Sequence, residues 1–261
     1  MTEVNVTDYL SERRGKNEAE RQQSSTGFII SVAVAILSWI LVVCVPAAAR
    51  NIMSVIAIIP SIAAVVYSSD GKKFGNIEGI IRSGQEGEDV LKASLHECLS
   101  DEYVAFFGVP IEGRGDIDCV IVAPAAIYAI ESKHHNGSIR QVDSDLFQVR
   151  HGRGGRIYPG NLKRPVAQLT GCIHGLKNML KEQKVRAWVE GAIVFTNSDV
   201  DLGPVSLKNI RVATVDNVSE LFKTRPAHPL SPGDRKVVLR HLHGLKIQSK
   251  TRGVAENNLQ Q

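Results

Sequence analysis

The 261-residue sequence lacks the motifs of several hydrolase classes and has few cysteines. It contains no G-x-S-x-G motif and no plausible cysteine–histidine pair, so nothing in it indicates an activated serine or cysteine nucleophile. The four cysteines form no C-x-x-C pair and each has apolar neighbours, which predicts reduced, buried thiols. The net charge of +4 permits a polyanionic partner without requiring one.

Charged residues are absent from two apolar stretches near the N-terminus, residues 27–49 and 52–69. Each reaches roughly the 20 residues that cross a bilayer, although the second only just does and contains Pro60. Together they predict a transmembrane hairpin over residues 27–69. Its turn carries only Arg50, whereas basic residues flank both outer ends: Arg13, Arg14, Lys16, Arg21, Lys72, Lys73 and Arg82. This bias predicts an integral membrane protein with both termini in the cytoplasm.

Two alternatives to the hairpin stay open. A signal peptide cleaved near residues 47–49 is disfavoured because the apolar core is long and a second apolar stretch follows. Buried helices of a soluble fold are disfavoured because the first stretch has neither charges nor a polar face. Residues 1–26 are expected to form a polar, mobile cytoplasmic tail with some helix, and residues 251–261 a disordered tail.

A soluble domain is predicted over residues 72–250, where charges and turn residues return. Periodicity predicts eight elements in the order α-β-β-β-α-β-β-α, which is a mixed α/β domain. Helices are expected at 86–100, 165–183 and 231–248, and strands at 103–111, 117–123, 126–132, 188–196 and 210–215.

The stretch GDIDCVIVAPAAIYAIESK, residues 115–133, reads as an apolar β-hairpin with charged residues at its open end. A turn centred on its Pro-Ala pair places Asp118 opposite Glu131 and Asp116 opposite Lys133. Opposed side chains, and residues two apart along a strand, share a face of the sheet. The four charged groups are therefore expected in one patch, although a slip of one residue would separate Asp118 from Glu131.

Two facing carboxylates repel each other unless a positive charge lies between them, so this patch suits a divalent cation. Oxygen ligands favour Mg²⁺, which keeps several waters and often meets a phosphate group. A nearby lysine adds charge for a phosphodiester under attack, which favours a site for phosphodiester hydrolysis. The structural alternative is a solvated strand end with salt bridges, Asp116–Lys133 among them.

The ordered motifs resemble a known family. The sequences GQEGEDV, then VPIEGRGDIDCVIVAPAAIYAIESKHHNGSI, then RPVAQL resemble the nuclease-related domain, NERD, of the PD-(D/E)xK superfamily, over residues 82–200. The resemblance implies a restriction-endonuclease-like mixed sheet flanked by helices, here preceded by the two transmembrane helices. It also implies a metal-dependent nuclease that uses Mg²⁺ or Mn²⁺, and because many superfamily members that cut both strands act as dimers, a homodimer remains open.

The resemblance also assigns roles to individual residues. Asp118 and Glu131 match the metal-binding acids, and Lys133 matches the lysine that acts on the reacting water or the developing charge. Glu88 matches the acid of the first helix, and Gln168 the glutamine of a later helix. As structural alternatives, Glu88 is a first-turn glutamate that favours the helix dipole and Gln168 a polar residue on a helix flank.

A glycine- and arginine-rich loop at about 150–161 continues into basic residues that lack an acidic neighbour. The expected nucleic-acid contacts there are Arg150, Arg153, Arg156, Lys163 and Arg164. A basic loop attracted to anionic lipid is the alternative. The loop does not open a helix directly after a strand, which excludes a dinucleotide fingerprint. His134 and His135 follow the lysine and are expected to be solvated turn residues.

The expected function is a membrane-anchored, metal-dependent nuclease acting on DNA. Two alternatives stay open: a nucleic-acid-binding domain with little or no cleavage, and a membrane scaffold whose acidic patch is structural.

Overall fold

The computed structural model describes residues 1–6, 9–44, 46–151, 153–160, 162–224, 226 and 228–258. The chain forms two compact units. One combines Met1–Asp8 with Gly84–Gln261, and the other is Tyr9–Ser83.

The helices are α1 (Tyr9–Cys44), α2 (Ala47–Cys98), α3 (Pro165–Glu182), α4 (Glu220–Lys223) and α5 (Pro232–Asn258). The strands are β1 (Thr2–Asn5), β2 (Val104–Ile111), β3 (Gly115–Val122), β4 (Ile127–Lys133), β5 (Gly137–Val142), β6 (Asp145–His151), β7 (Ile157–Pro159), β8 (Val189–Phe195), β9 (Val200–Leu202) and β10 (Ile210–Thr214). Short 3₁₀ turns lie at Arg153–Gly155 and Val215–Asn217.

The unit Tyr9–Ser83 holds α1 and the first part of α2. Gln22–Val43 in α1 is, by length and composition, long and apolar enough to cross a membrane, and only 11% of its most apolar stretch is buried. The second predicted stretch, 52–69, lies in α2; no such span is found there among the described residues, and its side chains 52, 53, 55–57, 67 and 69 lie outside them. The two helices touch where Trp39 Nε1 donates a hydrogen bond to Ser61 Oγ at 3.4 Å.

The other unit is built on a six-stranded mixed sheet in the order β1-β2-β3-β4-β8-β10. Strands β2, β3 and β4 are antiparallel neighbours, whereas β1 is parallel to β2, and β4, β8 and β10 are parallel to one another. Helices α3 and α5 pack on one face, and the last part of α2 and α4 on the other. This confirms the predicted α/β fold with a mixed sheet flanked by helices.

Several elements differ from the sequence prediction. Residues 2–5, expected in a mobile tail, form β1 in the main sheet, with Val4 and Val6 buried. Residues 137–159 supply three strands of a second sheet, β7-β6-β5-β9, part of which was expected to be a loop. The helix expected at 86–100 is only the end of the 52-residue α2. Helix α5 continues to Asn258, into the expected disordered tail, and residues 259–261 lie outside the described part.

The alternation of side chains along β2 and β3 breaks beside the hairpin's open end. Ile117 packs in the same core cluster as Val120, although strict alternation would place them on opposite faces. In β2 the same change occurs across Gly108, whose φ is +63°. Because the side chains of both strands switch from one face of the sheet to the other here, alternation no longer predicts that Asp116 and Asp118 share a face.

Gly175 of α3 provides a test of this packing. A Cβ at this position would lie 2.2 Å from Cγ2 of Ile111, a buried side chain at the end of β2. We expect Gly175→Ala to lower the free energy of unfolding by about 1–3 kcal/mol, as overpacked cores do. Thermal unfolding of the full chain in detergent measures the change.

The matched control is Gly244→Ala in α5, where an added Cβ meets nothing within 4 Å. It should stabilise the protein by about 0.5–1 kcal/mol because glycine is the weaker helix former. Equal effects of the two substitutions would contradict the packing described for α3.

Candidate active site

The hairpin register predicted from the turn is confirmed by the pairs Val122↔Ile127 and Cys119↔Ile130. The ladder between β3 and β4 ends at this second pair, so Asp118 and Glu131 do not form a bridge pair. Instead, the Ser132 N–H donates a hydrogen bond to Asp118 Oδ2 at 2.7 Å. The two strands separate where the charged residues begin, and the Asp118 carboxylate occupies the opening.

Glu131 is only 2% exposed, and its two carboxylate oxygens have different surroundings. Its Oε1 accepts hydrogen bonds from Lys133 Nζ at 2.5 Å and from Gln168 Nε2 at 2.8 Å. Its Oε2 is buried and has no hydrogen-bond donor. Leaving a buried carboxylate oxygen unsatisfied is costly, and such an atom calls for an ion or a water.

The donor set fits a hard divalent cation. The unsatisfied Glu131 Oε2 and the Asp118 carboxylate are oxygen ligands of the kind that Mg²⁺ prefers, and Mg²⁺ commonly takes one or two carboxylates and keeps waters. Among the residues that the structure describes, no group of three or more His, Cys, Asp or Glu side chains is arranged around one point for a metal. A cation here would therefore depend on water or substrate oxygens for its remaining ligands.

Lys133 ends β4, and its backbone O accepts a hydrogen bond from the Thr196 N–H beyond β8 at 3.1 Å. The lysine forms its ion pair with Glu131, not with Asp116 as the extended register suggested. Asp116 pairs with Pro110 of β2 along one edge of β3, and along the other edge the β3–β4 ladder ends before it, so Asp116 has no partner in β4. The expected ion pair between Asp116 and Lys133 is therefore not formed, and Lys133 pairs with Glu131.

Gln168 reaches the site because a distant carboxylate fixes the start of α3. Asp145, 4% exposed at the start of β6, accepts hydrogen bonds at Oδ1 from the N–H groups of Leu146 at 2.9 Å and Val166 at 3.0 Å. Arg164, the residue before the helix, has a φ of +29° and provides no side-chain cap. Asp145 therefore satisfies a free N–H of the first turn, a role that sequence reasoning missed. An arginine-proline helix start without a capping side chain was the available signal.

Glu88 lies on the last part of α2, next to a glycine that allows close packing. A Cβ at Gly87 would lie 2.9 Å from both His134 Cβ and Thr196 Oγ1, so this turn of α2 approaches the ends of β4 and β8 closely. Glu88 is half-buried and close enough to act electrostatically on Asp118. The structure thus brings Glu88 to the same end of the sheet as Asp118.

The electrostatics of the site favour an added positive charge. Burial, followed by repulsion from Glu131, raises the pKa of Asp118 well above its ordinary value, and Glu88 raises it further. Lys133 and the Ser132 N–H act in the opposite direction without cancelling these effects. Without a cation, the site therefore disfavours the charged form of Asp118.

His134 was expected to be a solvated turn residue, but it is half-buried and hydrogen-bonded. Its Nδ1 lies 3.1 Å from Thr196 Oγ1, and its Nε2 lies 3.3 Å from Asn197 Nδ2. Since the asparagine amide can only donate, Nε2 accepts and Nδ1 donates. This network ties the end of β4 to the end of β8.

The predicted basic residues lie elsewhere. Arg150, Arg156, Lys163 and Arg164 are exposed, and the side chain of Arg153 lies outside the described residues. Arg164 has an acidic partner after all, because its Nε lies 3.5 Å from Oδ2 of the buried Asp145. Among the described contacts, none joins this group to Asp118, Glu131 or Lys133.

The cysteine prediction is correct for part of the chain. Cys119 and Cys172 are buried and free, and burial raises the pKa of both thiols. Cys98 is also free, but it is exposed at the end of α2, so the prediction of burial is wrong there. The side chain of Cys44 lies outside the described residues.

Fold and site together define an α/β domain with two neighbouring carboxylates, a lysine and a helical glutamine at the end of a hairpin. Residues 83–196 match the family model described as nuclease-related domain, NERD. This part of the chain therefore belongs to the nuclease-related domain family, and it includes Glu88, Asp118, Glu131, Lys133 and Gln168. Searches of curated proteins and of solved structures found no match.

The raised pKa of Asp118 predicts a pH-dependent stability effect. A carboxyl with a raised folded-state pKa binds its proton more tightly when folded, so its ionisation destabilises the fold as pH rises above about 4. In EDTA, Asp118→Asn should raise the melting temperature at pH 7, and the gain over the wild type should shrink toward pH 4. The new amide oxygen can still accept the Ser132 hydrogen bond.

Glu112→Gln is the control, since Glu112 is exposed in the β2–β3 turn and solvent screens its charge. Thermal unfolding of the full chain across this pH range gives the result. A melting temperature of Asp118→Asn below that of the wild type at pH 7 would contradict the electrostatic description of the site.

Proposed function

We propose that this protein is a membrane-anchored, metal-dependent nuclease that hydrolyses phosphodiester bonds, with DNA as its substrate. The observation that carries the proposal is the buried Glu131 Oε2, which lacks a donor although Oε1 of the same carboxylate has two. A structural ion pair at a strand end would explain Oε1 but gives no reason for burying Oε2 unsatisfied. Membership of the nuclease-related domain family supports the same conclusion.

Asp118 and Glu131 are the residues that would hold Mg²⁺ or Mn²⁺. Such an ion lowers the pKa of a bound water and stabilises the charge that develops on a phosphodiester under attack. The protein holds the two carboxylates by different means: a backbone N–H fixes Asp118, and two side-chain donors fix Glu131. Both are therefore oriented before a ligand arrives, which limits the reorganisation needed at the reacting centre.

Lys133 and Gln168 act together in this proposal. Gln168 donates to Glu131 Oε1, and its own Oε1 lies 3.5 Å from Lys133 Nζ, so the amide contacts both groups. Lys133 is proposed to stabilise the developing negative charge at phosphorus or to orient the attacking water. Glu88 adds negative charge near Asp118. The exposed Arg150 and Arg156 are proposed to contact the nucleic-acid backbone, with Arg153, Lys163 and, less freely, Arg164.

A cleavage assay tests the proposal with the full chain in detergent, on single- and double-stranded DNA and RNA, with Mg²⁺, Mn²⁺ or EDTA. Cleavage should need the metal and be strongest on DNA. Asp118→Asn and Lys133→Ala should each lower the rate at least about 100-fold, as loss of a charge-stabilising group does. Both variants should still bind DNA.

Lys236→Ala, an exposed change in α5, is the matched control and should cleave like the wild type. Undiminished cleavage by both site variants would refute the site. DNA binding without cleavage under any condition would favour a binding domain, and neither binding nor cleavage would favour a scaffold.

Membrane anchoring by a two-helix hairpin is supported by the connectivity of the main sheet. Strand β1 precedes α1, and strand β2, its parallel neighbour, follows α2. Two strands of one sheet must lie on the same side of a membrane, so the chain between them crosses an even number of times. If Gln22–Val43 crosses once, a second crossing is required, and the apolar stretch 52–69 of α2 is proposed to provide it.

This topology predicts that the short connection at Pro46 lies outside the cell while the nuclease-related domain stays in the cytoplasm. With the native cysteines replaced by serine, Pro46→Cys should react with a membrane-impermeant maleimide in intact cells. Lys223→Cys, exposed in α4, should react only after permeabilisation. Labelling of both positions, or of neither, in intact cells would contradict the hairpin.

A further inference from the structure

A polar groove of about 850 Å³ lies along the face of α3 that points away from the core. Residues three or four apart on a helix share a face, and this spacing holds for the residues that the helix contributes. They are Ala167, Thr170, Gly171, His174 and Asn178, with Val166 beside the first of them. From the first to the last, the groove follows the helix for about 16 Å at 1.5 Å per residue.

Arg114, in the turn between β2 and β3, lies in this groove against two glycines one turn apart. A Cβ at Gly171 would lie 2.7 Å from Arg114 Nη1, and one at Gly175 would lie 3.8 Å from Arg114 Cδ. The glycines therefore allow the arginine side chain to lie directly on the helix. Arg114 is exposed, and among the described residues no carboxylate forms an ion pair with it.

The charges of the groove leave a positive balance. Arg164 is paired with Asp145, but Lys208, on the opposite wall, is exposed and forms no ion pair among the described residues. Asp143 is the acid that remains to offset Arg114 and Lys208. The groove therefore presents two unpaired cations together with hydroxyl, amide and imidazole groups that can donate hydrogen bonds.

One end of the groove adjoins the candidate active site. Gly171 follows Gln168 by three residues, one turn along α3, and Gln168 contacts both Glu131 and Lys133. Cys172 is the next residue of α3. Burial raises the pKa of its thiol, Glu131 raises that pKa further, and Arg114 lowers it. Arg114 and Glu131 thus lie on the same flank of α3.

We infer that this groove binds the nucleic-acid backbone that enters the active site, with Arg114 and Lys208 as its phosphate contacts. The inference rests on the proposed nuclease function and adds where the substrate lies. Arginine suits this role because its guanidinium matches phosphate with two parallel hydrogen bonds. A length of about 16 Å accommodates about five nucleotides of one strand at 3.4 Å each.

Nucleic-acid binding by the full chain in detergent tests the inference, with fluorescein-labelled DNA duplexes in EDTA so that no cleavage occurs. Each neutralised phosphate contributes about 0.9 to the salt slope of log K for duplex DNA. Arg114→Ala and Lys208→Ala should each lower that slope by about 0.9 and weaken binding about fivefold at 0.15 M salt. The double variant should lower it by about 1.8, and Lys236→Ala should leave it unchanged.

Gly171→Ala separates a binding role from a structural one because it removes no charge. The new methyl group would displace the flexible end of the Arg114 side chain. Alanine is also the better helix former, so the melting temperature should stay the same or rise while DNA binding weakens. Unchanged DNA affinity in this variant and in Arg114→Ala would overturn the inference.

The outcomes separate the two levels of the proposal. Wild-type affinity in the groove variants, combined with loss of cleavage in Lys133→Ala, overturns the groove and leaves the nuclease intact. Weakened binding in the groove variants, with no cleavage by any form of the protein, supports the groove as a binding surface and overturns catalysis. A loss of affinity seen only in Arg156→Ala, or only for anionic lipid micelles, would assign the charged contacts elsewhere and overturn the groove.

Discussion

The buried carboxylate of Glu131 is the constraint around which the candidate site is arranged. Glu131 lies on β4, a central strand, opposite Ile193 of β8, and is only 2% exposed. A carboxylate in such a place needs donors or a cation, because desolvation of a charge is not compensated by packing. Lys133 from the same strand and Gln168 from α3 supply donors for one oxygen only. The other oxygen has no donor, and the proposed cation site rests on this oxygen.

The parts of this site that sequence could predict are the local ones. The hairpin register followed from a short turn between two apolar runs, and the structure has the predicted pairs. Helix α3 followed from its periodicity and its proline start. The placement of Asp116 could not be predicted, because the change of face depends on Gly108 in the neighbouring strand, whose positive φ is visible only in the fold. The alternation of apolar and polar residues along one strand does not reveal a distortion that the adjacent strand imposes.

Long-range contacts explain the other differences. Asp145 satisfies the start of a helix that lies 21 positions further along the chain, so no local capping pattern marks it. Gly87 is required by the close approach of α2 to His134 and Thr196, which directly follow β4 and β8. Both residues position groups of the candidate site without belonging to that site. The resemblance to a family motif identified the candidate site residues. Only the packing of the folded chain shows that Asp145 and Gly87 hold the elements that carry them.

Strand β1 shows the same principle at the scale of the whole domain. Its sequence, TEVN, has one apolar residue, and local propensity gives no reason to expect a strand. It forms because the outer edge of β2 would otherwise leave backbone groups unpaired, and because Val4 and Val6 fill the core beside it. The polar segment before α1 thereby becomes part of the domain whose other strands come after α2. The apolar helices are therefore an insertion between two neighbouring strands of one sheet, and the sheet is complete only when the chain comes back from α2 into β2 beside β1.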